Sequence, residues 1–257
     1  MKVRAAAVSG QFYPEDAGEL RGLLEQLLRP PSTAEAGRYR IIIAPHAGYI
    51  YSGAVAAAAY RALNTENVTR VAILGPCHRV PVAGMAVPES GEFETPLGRV
   101  PVDAEGVDLL VRHGLAERND LAHEFEHSIE VQIPFLQYVL SGFSIVPVVV
   151  GGAAVQVVSQ ALELLYNSQT LLVVSSDLSH FLSYHKACQI DQSTSDKIIH
   201  QDYSLSGEEA CGARAVNGVS AWAKRCGFHT ELLGLANSGD TAGDKSRVVG
   251  YGAYGIG

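Results

Sequence analysis

The chain has 257 residues, of which 47% are hydrophobic and 18% charged, the balance of a soluble globular protein long enough for one large α/β domain. Its formal net charge of -8 excludes a general basic surface for nucleic acid, and no apolar run approaches the ~20 residues that a bilayer span requires. Cys77, Cys188, Cys211 and Cys226 show no CxxC or zinc-finger spacing and read as reduced thiols.

The opening "MKVRAAAVSGQFYPEDAGEL" meets Gln, Glu and Asp before a signal-peptide core can form, so the cytoplasm is the expected compartment. "EDAGELRGLLEQLL" carries Leu20, Leu23, Leu24, Leu27 and Leu28 at helical spacing behind an acidic start, which predicts an amphipathic helix. Two prolines end it, and "RPPSTAEAGR" (Arg29 to Arg38) reads as a connection within the domain.

From there one pattern recurs: a β-branched run suited to a strand buried on both faces, closed by small, polar or proline residues. The runs are "YRIIIAPH", "RVAILGPCH", "FSIVPVVVGG", "LLVVSSDLSH" and "SRVVGYGAYGI". Helix-like segments separate them, among them "SGAVAAAAYRAL", "DAEGVDLLVRHGL", "HSIEVQIPFLQYVL" and "GARAVNGVSAWAKRCG". "GMAVPESGEFETPLGRVPVD", dense in Gly and Pro, reads as a hairpin excursion beside the sheet. The alternation predicts a single domain over residues 1–257, three layers deep in the order α/β/α, with a mixed, largely parallel sheet.

Ligands of open α/β sheets gather at the carboxyl ends of the strands. Three of the five runs end there with a histidine: His46 after "IIIAP", His78 after "AILGPC" and His180 after "VVSSDLS". Each alone is an ordinary loop residue, but together they suggest a mononuclear metal site built on neutral imidazoles. Asp177, three residues before His180, reads as a ligand, as a partner that orients a histidine, or as the N-cap of the next helix.

"AHEFEHSIE" contains His123 and His127 in the H-E-x-x-H pattern, which on one helix places two imidazoles a turn apart beside a general base and suggests a metal-dependent hydrolase. Its glutamates equally suit a solvated helix start, and His127 with Glu130 can instead face the strand-end histidines from a neighbouring loop. Cys77 reads as a nucleophile, a soft ligand or a small buried residue. "SGDTAGDKS" fails the Walker spacing and leaves Asp240, Thr241 and Asp244 as oxygen donors in a loop before the last strand.

In this order and at these separations, "APHAGYIYSG", "LGPCH", "EHSIEVQIPFL", "VVSSDLSH" and the closing "VVGYGAYGI" resemble the Memo protein family, a likeness that spans nearly the whole chain. The resemblance implies a fold similar to class III extradiol dioxygenases, which are non-haem iron enzymes. It also implies, for microbial members, the AmmeMemoRadiSam system with a radical-SAM protein and a small partner protein. Carried over, the family's metal-site histidines fall on His46, His78 and His180, with Asp177 nearby and His127 in the same cleft. Animal members supply a cysteine from the loop before the last strand; that position here reads as Thr241, next to Asp240. The expected ligands are therefore His46, His78 and Asp240, holding a divalent metal: iron first, with copper or zinc as alternatives. His180, His127 and Asp177 are the expected catalytic residues, His180 or His127 acting as acid or base. The ligand is a small molecule or peptide of unknown identity. Animal members bind phosphotyrosine peptides near the positions of Phe12 and Tyr13, a role not carried to this chain. A non-catalytic binding module using the same cleft is the alternative to an oxidoreductase, and metal-dependent hydrolysis is the third reading.

Overall fold

The computed structural model describes residues 2–29 and 37–257, so the linker reading of Arg29 to Arg38 falls, over 30–36, outside the described residues. Strand β1 (Val3–Arg4) leads into helix α1 (Ala17–Leu28). The Asp16 carboxylate accepts from the amides of Gly18 and Glu19, and Leu20, Leu24 and Leu28 form the buried stripe. Strand β2 (Ile41–Ala44), buried at every position, is followed by α2 (Tyr49–Arg61) and β3 (Arg70–Pro76). The Gly/Pro-rich excursion contains β4 (Met85–Val87), β5 (Glu92–Thr95) and β6 (Gly98–Pro101), and only β5 and β6 form its hairpin.

Next come α3 (Ala104–Arg112), β7 (Glu117–Arg118), α4 (Leu121–Glu124), α5 (His127–Glu130) and α6 (Ile133–Val139). The helix predicted over "HSIEVQIPFLQYVL" is thus two helices: Pro134 sits in the first turn of α6, a position that suits a residue with no N–H. Strand β8 (Ser144–Val150), α7 (Val155–Leu165), β9 (Thr170–Ser175) and β10 (His180–Leu182) precede α8 (Tyr184–Ile199) and α9 (Ala213–Cys226). Strands β11 (Thr230–Asn237) and β12 (Val248–Ile256) close the chain.

Among the described residues the main sheet has nine strands in the order β10-β12-β2-β9-β3-β8-β4-β7, with β11 beside β12, while β1, β5 and β6 form a small separate sheet. The sheet is mixed. Its centre, β2, β9, β3 and β8, is parallel; β12 runs antiparallel to β2 on one side and β4 antiparallel to β8 on the other. Side chains alternate between faces along each strand. Ile42, Val71 and Ile73 therefore enter a core with α1, α2 and α6, while Ile41, Ile43, Ala72 and Leu74 enter a second core with α3, α7 and α9. Helices on both faces make the three α/β/α layers. The parallel pairing of β2, β9 and β3 ends all three at one edge, where the histidine-bearing loops emerge. No helix among the described residues is long and apolar enough to cross a membrane.

Candidate metal centre

Pro45 terminates β2, and His46 behind it is 1% exposed. Its amide donates to Asp177 Oδ1 at 2.8 Å, and its Nδ1 lies 2.8 Å from Ser175 Oγ at the end of β9. The Ser175 hydroxyl spends its single proton on the Ser128 carbonyl, 2.6 Å away, so it accepts from His46 Nδ1–H. The lone pair of His46 is therefore on Nε2, facing the cleft. Burial, with help from the neighbouring His78, pushes the His46 pKa down to about 3, so the ring is a neutral ligand at pH 7.

His78, beyond the end of β3, has its Nδ1 2.8 Å from Glu126 Oε1. A carboxylate only accepts, so this ring also carries its proton on Nδ1 and presents Nε2. Burial works to raise the Glu126 pKa, but the His78 ring and the amides of His78 and Ser128 outweigh it and hold it at about 2. Glu126 is 2% exposed and caps α5 through the Ser128 amide, so the solvated helix start expected for the glutamates does not hold at this position.

The third donor comes from a distant part of the chain. Cys211, in the loop before α9, places Sγ 3.3 Å from His46 Nε2, and the Asp177 amide points at the same sulfur at 3.3 Å. One ligand atom from each of His46, His78 and Cys211 falls within 4.8 Å of the others. That spacing suits a common ion, since donors ~2.0–2.3 Å from a metal stand roughly 3.5 Å apart in a tetrahedral site. The residues fit a metal. A second group that can hold an ion, His78, Glu126 and His127, shares His78 with the first.

His127, at the start of α5, is stacked on His78 with ring centroids 4.6 Å apart, and its centroid lies 5.3 Å from that of His46. Burial holds it at a pKa of about 4, and its buried Nδ1 has no hydrogen-bond partner among the described residues. His180 is not in either metal group. It lines a cavity of about 420 Å³ together with Phe12, Tyr51, His127, Asp177 and Tyr251, and its Nδ1 donates to the Leu178 carbonyl at 2.9 Å. Asp177, 4% exposed and with its pKa raised by burial, holds the His46 amide; it does not cap a helix, because α8 begins only at Tyr184.

Asp240 lies elsewhere. Its carboxylate accepts from the Tyr184 hydroxyl at 2.6 Å and the Asn237 amide at 3.0 Å, closing the turn after β11, and Thr241 donates to the Ser238 carbonyl in the same turn. The donor that the geometry brings to His46 and His78 is Cys211, in place of the Asp240 expected from sequence. The H-E-x-x-H geometry also fails: α4 ends at Glu124 and α5 begins at His127, so no single helix face carries both imidazoles. His123 packs edge-on to Phe93 and contacts the Ala86 carbonyl instead. Glu130 is turned away from the cleft, paired with Arg4 and accepting from Tyr13 and the amides of Ala7 and Val8. Cys77 donates to the Val80 carbonyl at 2.6 Å. Sequence reasoning missed Cys211 and Glu126; the one available signal was their placement directly before predicted helices.

Comparison with known proteins adds a lineage to this geometry. A family model described as "Memo-like protein" matches residues 4–254. A "MEMO1 family protein" of Desulfurococcus amylolyticus is 35% identical, with 98% of each chain covered. One of Methanobrevibacter smithii is 36% identical over 97% of this chain and 98% of its own, and one of Thermoplasma acidophilum is 34% identical over 96% of each.

Proposed function

The chain belongs to the Memo-like family, and from that premise we propose that its cleft holds a redox-active metal ion and acts as a non-haem-iron-type oxidoreductase on a small organic molecule. The observation that carries this reading is the convergence of His46, His78 and Cys211 at the strand ends, beside the cavity lined by His127, Asp177 and His180. A bound ion would supply Lewis-acid and electron-transfer chemistry there. The chain's own residues do the rest. Ser175 and Glu126 fix the tautomers that present Nε2 of His46 and His78, and Asp177 anchors the His46 main chain. His180, with Nδ1 committed to the Leu178 carbonyl, accepts a proton from a substrate hydroxyl at Nε2. His127, neutral at pH 7, forms another part of the wall and packs at a tilt of 46° against Phe12, with ring centroids 4.8 Å apart. Cys211 brings a softer donor than the carboxylate expected from sequence, so copper stands beside iron as the preferred ion.

Protein purified without chelators, analysed for metal and assayed for oxygen uptake after loading with iron or copper, tests the proposal. His46→Ala and Cys211→Ser are expected to lose the metal while keeping the native circular-dichroism spectrum. Unchanged metal content in both variants would overturn the site. Zinc at full occupancy without oxygen uptake would move the activity to metal-dependent hydrolysis. Stoichiometric metal with no turnover under any loading would leave a binding module.

A further inference from the structure

The wall of the cavity away from the metal group is made by the segment that re-enters the sheet as β12. Arg247 lines that wall, immediately before Val248, and its guanidinium lies 5.0 Å from the centroid of the Phe181 ring. Phe181 is in the left-handed region at φ 59°, a conformation unfavourable for a residue with a side chain, where the β10–β12 register shifts between His180 and Leu182. The irregularity sets neighbouring residues to separate tasks: His180 on the cavity wall and Phe181, 61% exposed, beneath the arginine. Stacking fixes the plane of a guanidinium and leaves its N–H edge unspent.

No carboxylate among the described residues lies within ion-pair distance of Arg247. Asp244 lines the same cavity, but its carboxylate accepts from the Ser246 amide at 2.6 Å. Lys245 is turned away onto the Tyr184 ring, 4.5 Å from its centroid. Arg247, the one guanidinium on this wall among the described residues, therefore lines a cavity whose remaining surfaces include the rings of Phe12, Tyr51 and Tyr251.

We infer that Arg247 is the specificity-determining residue of the cavity, and that the ligand is a small, flat organic acid. Its carboxylate or phosphate pairs with the guanidinium on the Phe181 platform, and its body lies among the aromatic rings towards the His46–His78–Cys211 group. This inference rests on the reading of the cavity as the substrate site, but not on the identity or presence of the metal.

Ligand-observed fluorine NMR with 4-fluorobenzoate, 4-fluorophenyl phosphate and 4-fluorobenzyl alcohol tests it on the full chain. At least one anion is expected to bind about tenfold or more tighter than the alcohol, and the tighter anion names the headgroup. Arg247→Gln is expected to abolish that preference with metal content unchanged, whereas Arg247→Lys retains part of it as a point charge. His46→Ala is expected to lose the metal and keep the preference, which separates failure of the metal site from failure of the anion site. Equal binding of all three probes, binding of none, a preference surviving Arg247→Gln, or a preference lost in His46→Ala would overturn the inference.

Discussion

Two imidazoles are set up as metal donors here because hydrogen bonds on their far nitrogens leave them only one tautomer. For His46 the chain of reasoning runs through a single proton: Ser175 gives its hydrogen to the Ser128 carbonyl and must accept from Nδ1. For His78 the Glu126 carboxylate performs the same task. Glu126→Gln is therefore expected to weaken metal binding about 10–100-fold in a chelator competition, and Asp240→Asn to leave it unchanged, because Asp240 is committed to Tyr184 and Asn237. A second residue-scale prediction concerns His123, which burial holds at a pKa of about 4. Its unfolded counterpart takes up a proton below about 6.5, so stability present above that pH is lost as the pH falls towards about 4, by roughly 1.4 kcal/mol per unit. His46 and His127 act in the same direction. Urea midpoints measured at pH 7, 6 and 5 are thus expected to fall less steeply for His123→Gln than for the native chain, by one proton's share.

At the scale of elements, the short helices α4 and α5 matter most, because the break between them sets Glu126 and His127 at the cleft. Arg4 clamps that break: its guanidinium donates to the His123 and Glu126 carbonyls and pairs with Glu130, both side chains being buried. Arg4→Met leaves the Glu130 carboxylate buried without its counter-ion and is expected to cost about 3–5 kcal/mol in urea unfolding. The approach of α5 to the sheet is equally tight. A Cβ on Gly75 in β3 would stand 2.5 Å from Ser128 Oγ and 3.0 Å from its Cβ, so only glycine lets α5 sit this close. Gly75→Ala is expected to destabilise by about 1–3 kcal/mol and to weaken metal binding as well, since the displaced Ser128 carbonyl orients Ser175. A stability loss without any change in metal affinity would disconnect α5 from the site.

On the scale of the whole molecule, the candidate metal group draws its donors from the loops leaving β2 and β3 and from the segment before α9, so a bound ion would couple to global unfolding. Metal at about a hundred times its dissociation constant is expected to add about 2.7 kcal/mol, which for a chain of this size raises Tm by roughly 5–10 °C. Chelation reverses the shift in a calorimetric scan, and Cys211→Ser removes it. What the sequence determined by itself was local: strand–helix alternation, the leucine stripe of α1, and the histidines at strand ends, each readable from periodicity and from the residue types that stop a strand. Even the mixed sheet was legible in kind, although the antiparallel places of β12 and β4, and the pairing of β5 and β6 with β1 in a second sheet, depend on long-range register that periodicity does not carry. The tertiary structure alone decided which donor atoms come close enough to share an ion. Cys211 stands 165 residues from His46 and meets it at 3.3 Å, whereas Asp240 lies in a loop close to β12 yet is spent on a turn. Donor atoms must converge to within a few ångströms, and only the order of strands in the sheet brings segments this far apart in sequence to that distance.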